Sequence, residues 1–167
     1  MATVTFDTNL VDDEELFAAA RVAGFAVAHT TVTNRELSGS GVVPSGGRRG
    51  DLLETAVVGE SIVGLCVVGS DSDARNFERV LEIISSGSFP QGAKRNTMSQ
   101  GQQRQVRDAM IFCTHVRETR DVFVTNDLRG FIRRGHRETL EREFSTKIHT
   151  AEEFLKLCHD SQGKTNI

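Results

Sequence analysis

Short apolar runs alternate with longer amphipathic segments along most of this chain. Residues 2–6 (ATVTF) alternate apolar and polar side chains as a strand does. Residues 12–23 have helical spacing instead, with Asp12 as the predicted cap and Gly24 as the stop. The same reasoning predicts further strands at 25–28, 61–68, 121–125 and 146–149, and helices or helical turns at 31–38, 51–57, 70–85, 105–118, 128–144 and 150–158.

This alternation of strand and helix predicts an α/β fold. Sequential strands joined by helices form parallel sheets with helices on both faces, so we expect a mostly parallel central sheet of about five strands. The continuous apolar run at 61–68 (SIVGLCVV) is typical of a strand buried on both faces. We expect one domain over 1–158 and a polar, frayed tail over 159–167, with long loops at 38–50 and 86–104.

Composition limits the classes of protein that this chain can represent. With 167 residues, 38 % of them hydrophobic, it can bury one core. We see no apolar run near the length of a membrane helix and no secretory signal, so we expect a cytoplasmic protein. The widely spaced Cys66, Cys113 and Cys158 suit reduced core thiols. A net charge of −3 gives no overall basic field, so a polyanion would have to meet a local patch of cations.

Acidic residues stand where a parallel α/β sheet places its ligands. Asp7 follows the first strand, and Asp127 follows the strand at 121–125. If these two strands are neighbours, the carboxylates converge at the carboxyl edge of the sheet, and Glu36 and Asp108 on nearby helices can reach the same edge. Like charges this close need protons or cations. Carboxylate oxygens suit Mg²⁺ or Mn²⁺.

Each acid taken alone also has a purely structural interpretation. Asp7 can cap a turn, and Glu36 in "TNRE" fits a capping box. Asp108, near the predicted start of its helix, can favour the helix dipole, and Asp127 can begin an ordinary helix. Only the joint placement of the four acids favours a site.

Four short motifs in order resemble the PIN domain nucleases: "FDTN", "NREL", "RDAMI" and "VTND". "STKIHTAEEFLKL" is similar to the closing strand and helix of that family, so the resemblance covers most of residues 3–157. It implies a three-layer α/β/α sandwich, dependence on Mg²⁺ or Mn²⁺, and cleavage of RNA or other single-stranded nucleic acid. It also implies that the catalytic, metal-binding acids are Asp7, Glu36, Asp108 and Asp127, supported by Asn9, Thr125 and Asn126.

Such a site would hydrolyse phosphodiesters through a metal-activated water, with no protein nucleophile. Substrate phosphates need cations, and the sequence offers several near the predicted edge. The RNA-binding candidates are Arg48, Arg49, Arg104, Arg107 and Arg129, with Lys94, Arg95, Arg133 and Arg134 as further cations. We expect an RNA substrate and no membrane; the resemblance also allows an antitoxin-like protein partner, as in toxin–antitoxin pairs, and a homodimer.

Two other functions stay open from the sequence. A PIN fold can serve as a catalytically silent scaffold, because a fold does not fix its function. Alternatively, "VVGSDSD" after a strand could bind phosphate at a helix N-terminus, which would make the chain a nucleotide-binding module.

Overall fold

A parallel four-stranded sheet forms the centre of the protein. The computed structural model describes residues 1–38, 52–90 and 97–163. In chain order the strands are Thr3–Phe6 (β1), Ala26–Ala28 (β2), Glu54–Thr55 (β3), Cys66–Val67 (β4), Val122–Val124 (β5) and Lys147–His149 (β6). The four strands of the central sheet lie in the order β2-β1-β5-β6. Since β1 pairs with β2 on one side and with β5 on the other, the chain reverses its direction of winding at β1. The strands before Asp7 and Asp127, β1 and β5, are therefore neighbours, which is the condition for the two carboxylates to converge.

Helices cover both faces of this sheet, so the described part of the chain forms an α/β sandwich. The helices are Glu14–Val22 (α1), Thr31–Leu37 (α2), Asp71–Ile84 (α3), Gln100–Arg117 (α4), His136–Phe144 (α5) and Ala151–Gly163 (α6). Val122 and Val124 contribute to a core with α1 and α6, whereas Phe123 points into a second core with α3, α4 and α5. The centre of the Phe123 ring lies 5.2 Å from the centres of the Phe112 and Phe131 rings.

Two helices begin at other residues than predicted, because capping hydrogen bonds determine where they start. Asp13, and not Asp12, accepts the Leu16 N–H and caps α1. Helix α4 begins at Gln100, well before the predicted 105, because Ser99 and Gln102 form a capping box. The 86–104 loop is therefore shorter than predicted.

The predicted buried strand at 61–68 is wrong. Only Cys66–Val67 (β4) is a strand, and it pairs with Glu54–Thr55 (β3) in a separate two-stranded sheet. Gly64, at φ +92°, turns the chain inside the apolar run, and Val63 is 97 % exposed. The central sheet has four strands among the described residues, and the predicted helical turn at 51–57 is replaced by β3.

The last helix and the three cysteines differ in how well they match the predictions. The last helix runs to Gly163, so the frayed tail predicted from 159 is wrong over residues 159–163. Cys113 and Cys158 are buried, reduced core thiols as predicted. Cys66 is also free, but it is half-buried in β4, outside both cores, so its predicted core position is wrong. None of the helices in the described ranges has the length and apolar character that crossing a bilayer requires.

Candidate functional site

Asp7 lies at the carboxyl edge of the sheet, where β1 ends. Its carboxylate accepts three hydrogen bonds: from the Thr8 backbone N–H at 2.8 Å, from Asn9 Nδ2 at 3.1 Å and from Thr125 Oγ1 at 2.6 Å. The side chain is buried, and this burial raises the pKa of Asp7 to about 6, although the bonds from Thr125 and Thr8 act in the opposite direction. The turn-capping interpretation of Asp7 is thus correct but incomplete.

Thr125 joins Asp7 to Asp127. The Thr125 hydroxyl donates to Asp7 and accepts the backbone N–H of Asp127 at 3.0 Å. Asp127 Oδ1 in turn accepts the N–H groups of Arg129 and Gly130, both at 3.0 Å, so this carboxylate closes a turn and begins no regular helix. A Cβ atom on Gly130 would lie 2.3 Å from Asp127 Oδ2. The absence of a side chain at Gly130 therefore permits the observed position of Asp127.

Glu36 reaches the same edge from α2. Its Oε2 atom accepts the Thr8 hydroxyl at 2.7 Å, which places it beside Asp7. The capping-box interpretation is wrong, because the cap of α2 is Thr30, which accepts the Thr33 N–H. Sequence reasoning missed Thr8 as a site residue, although it stands inside the "FDTN" motif between two residues that were chosen.

Asp108 completes the group of acids from α4. Since α4 begins at Gln100, Asp108 lies two turns inside the helix, and the helix-dipole interpretation is wrong. Burial, together with the negative charges of Asp7, Asp127 and Glu36, raises the pKa of Asp108 to about 8, against the positive charge of Arg104. The structure thus brings the four predicted acids into electrostatic contact.

We call this group, Asp7, Glu36, Asp108 and Asp127, the acidic edge. Its donor set consists of carboxylate oxygens, which fits Mg²⁺ or Mn²⁺ and not a soft metal. Among residues 1–38, 52–90 and 97–163, no three His, Cys, Asp or Glu side chains are grouped closely enough to count as a metal-binding set. The four acids of the acidic edge thus repel one another without forming such a set. Their binding of a metal stays a prediction.

The predicted supporting amides tie the acidic edge to neighbouring elements. Asn9 donates to Asp7, and its Oδ1 atom lies 3.4 Å from the Asn126 backbone N. Asn126 Oδ1 accepts the N–H of Ala151, the first residue of α6. These two side chains hold together the ends of β1 and β5 and the start of α6.

The predicted RNA-binding cations differ in their exposure and in whether they form ion pairs within the protein. Arg104 and Arg129 are exposed, and Arg104 acts on Asp108 electrostatically. Arg107 is bound to acids instead: its Nε donates to Glu60 Oε2 at 3.1 Å. Of the further cations, Arg133 donates to Ser86 Oγ and Arg134 is exposed. Arg48, Arg49, Lys94 and Arg95 lie outside the described residues.

The segment "VVGSDSD" has a structural role at the start of α3. Ser70 and Asp73 form a reciprocal capping box, and a Cβ on Gly69 would lie 2.4 Å from Thr55 Cγ2. Asp71 and Asp73 make the first turn acidic, which opposes a phosphate there. This geometry argues against the nucleotide-binding alternative.

Comparison with known proteins adds no family assignment. No model of a known protein family matches the chain, and no curated protein matches it.

Proposed function

We propose that the protein is a metal-dependent endoribonuclease of the PIN type that hydrolyses phosphodiester bonds of single-stranded RNA. One observation supports this best: four acids from four separate elements lie within electrostatic range at the carboxyl edge of a parallel sheet, next to the β1–β5 switch point. Repelling carboxylates lower the stability of a fold unless a cation joins them, so a purely structural cluster of this kind has no evident benefit.

The surrounding residues prepare the acids for a cation. Three donors fix the Asp7 carboxylate, and Thr8 and Thr125 connect it to Glu36 and Asp127. Held in this way, the acidic edge would bind Mg²⁺ or Mn²⁺, which would lower the pKa of a bound water and stabilise negative charge on the phosphate. The exposed Arg104 and Arg129 would contact the phosphate backbone, which gives affinity without sequence preference.

Cleavage of a labelled single-stranded RNA in Mn²⁺ tests the proposal. We expect cleavage by the wild type, loss of cleavage in EDTA, and a decrease of at least about 100-fold for Asp7→Asn. Asp160→Asn is the matched control, because Asp160 is an exposed aspartate on α6, and it should cleave as the wild type does.

Two results would contradict the proposal. Cleavage that persists in EDTA would exclude a metal mechanism, and cleavage undiminished in Asp7→Asn would exclude the acidic edge. Metal binding without cleavage of any single-stranded substrate would favour the silent scaffold. The antitoxin-like partner and the homodimer stay predictions, and the exposed side chains of Val58, Val63 and Val68 are the apolar surface that such a partner could contact.

A further inference from the structure

Arg107 lies between two acids that belong to different parts of the protein. Its Nε atom donates to Glu60 Oε2 at 3.1 Å, whereas its Nη1 atom lies 3.9 Å from Glu36 Oε1. The first contact is a hydrogen-bonded ion pair, and the second is an ion pair at the limit of direct contact. The guanidinium is therefore held mainly by Glu60, which is not one of the acids of the acidic edge. Its Nη1 atom faces Glu36, which is one of them.

Glu60 is well placed to hold the arginine. Its side chain is 10 % exposed, compared with 33 % for Arg107, so the carboxylate gains little from water and depends on its ion partner. The Glu60 backbone N–H closes a turn onto the Val57 carbonyl oxygen at 3.1 Å. The acid therefore stands on a hydrogen-bonded turn between β3 and β4.

Glu36 is the acid that this arrangement affects. Thr8 donates to its Oε2 atom at 2.7 Å, which leaves Oε1 as the oxygen nearest to Arg107. A full positive charge about 4 Å from a carboxylate opposes the binding of a second cation to it. Arg107 was predicted to bind phosphate, but its two acidic neighbours favour a different role.

We propose that Arg107 is a positioning residue that acts as an internal cation for the acidic edge, and that Glu60 holds it partly away from Glu36. The pair would thereby set the affinity of the edge for divalent cations. This inference rests on the proposed function, because it requires the acidic edge to bind a metal. It assigns Glu60, which lies outside the four acids, a role in metal affinity.

Two substitutions with opposite expected signs test this role. Binding of Mn²⁺ alone is measured by calorimetry and by the Mn²⁺-induced rise in melting temperature. Arg107→Gln should lower the midpoint Mn²⁺ concentration by roughly three- to ten-fold, the size expected for one partly screened charge at this distance. Glu60→Gln should raise the midpoint by about two- to five-fold, because the released guanidinium can then pair fully with Glu36.

The double variant and two controls separate this role from general destabilisation. If Glu60 acts only through Arg107, then Arg107→Gln/Glu60→Gln should have the midpoint of Arg107→Gln alone. Arg107→Lys keeps the charge and should stay within about two-fold of the wild type. Arg142→Gln removes an exposed arginine on α5 that is not among the RNA-binding candidates, and it should leave the midpoint unchanged.

The outcomes distinguish failure of this inference from failure of the proposed function. Absence of any Mn²⁺ binding by the wild type would overturn both. Binding by the wild type with an unchanged or raised midpoint in Arg107→Gln would overturn the role of Arg107 alone. A Glu60→Gln effect of equal size with and without Arg107 would overturn the role of Glu60.

Discussion

Two groups of polar side chains contact the same sheet, and they differ in whether hydrogen bonds within the protein satisfy all their polar atoms. At the acidic edge, the carboxylates of Asp7 and Asp108 share a region with two further acids, and burial raises their pKa values. In the core between β1 and α4, each ring nitrogen of His115 lies within hydrogen-bond distance of a threonine hydroxyl, at 3.0 Å from Thr5 Oγ1 and 2.7 Å from Thr146 Oγ1.

The difference separates a polar group whose hydrogen bonds are complete within the protein from the group for which we propose a function. Burial, together with the positive charge of Arg120, lowers the pKa of His115 to about 3, so the ring is neutral, and both of its nitrogens are paired inside the protein. The acidic edge has more charge than its own donors can neutralise. The His115 network therefore needs nothing from outside, whereas the acidic edge is complete only with protons or cations.

The largest effect on stability should come from the His115 network. We expect His115→Ala to lower the free energy of unfolding by about 3–5 kcal/mol, because it leaves a cavity beside Phe112 and Phe123 and removes the partner of the buried Thr5 hydroxyl. Urea unfolding measures this value. His159→Ala, at an exposed position on α6, is the control and should change it by less than about 0.5 kcal/mol.

At the acidic edge, we expect a substitution to raise the free energy of unfolding and not to lower it. In EDTA at about pH 8, Asp108→Asn should raise the free energy of unfolding by roughly 1–3 kcal/mol, since it removes a half-buried charge that three acids repel. Urea unfolding beside Asp160→Asn measures the effect. A destabilised Asp108→Asn would mean that the carboxylate is paired and not repelled.

The pH dependence of stability should separate the two regions. At Asp7 and Asp108, the folded protein binds more protons than the unfolded chain between the ordinary aspartate pKa of 3.8 and the raised pKa values of about 6 for Asp7 and about 8 for Asp108. The acidic edge therefore makes the free energy of unfolding fall as pH rises through this window. For His115 the unfolded chain binds more protons between pH about 3 and 6.5, so its contribution rises with pH.

Urea unfolding across this range in EDTA checks both signs. Asp108→Asn should flatten the fall in stability above pH about 6, by roughly 1 kcal/mol, and leave the contribution of His115 in place. An unchanged slope above pH 6 in Asp108→Asn would show that this acid is not the group that titrates.

The smallest change in stability should come from two glycine substitutions. A Cβ on Gly130 would lie 2.3 Å from Asp127 Oδ2, whereas a Cβ on Gly101 would meet only Ser99 Oγ at 3.9 Å. Gly130→Ala should cost less than about 1 kcal/mol because the Asp127 side chain can move, but it should weaken Mn²⁺ binding. Gly101→Ala, in the first turn of α4, should stabilise the protein by about 0.5 kcal/mol and leave Mn²⁺ binding unchanged.

Residues close in sequence made the acidic edge predictable. The strand pattern before Asp7 and Asp127 is local, and the rule that ligands lie at the carboxyl edge of parallel strands then placed both acids together. The start of α4 was missed because residues 97–104 have no apolar periodicity, although Ser99 and Gln102 stand at capping-box spacing. That error misplaced Asp108 within its helix, but the sheet edge at which Asp108 was expected was correct.

Contacts between distant residues could not be read from the sequence. The apolar run at 61–68 has the composition of a core strand, but the turn at Gly64 and the pairing of only two residues with β3 decide its structure. The same limit applies to Arg107, which is separated from Glu60 by 47 positions. Its charge suggested a phosphate ligand, and only the fold reveals the acids on either side of it.

Calorimetric titration of Mn²⁺ tests the central claim most directly, because the claim is that the four acids act together as a cation site. We expect the wild type and Asp160→Asn to bind Mn²⁺ with the same affinity. Asp108→Asn, although more stable than the wild type without metal, should bind at least about ten-fold more weakly, since it lacks one carboxylate ligand. Equal Mn²⁺ affinity for wild type and Asp108→Asn would contradict the account.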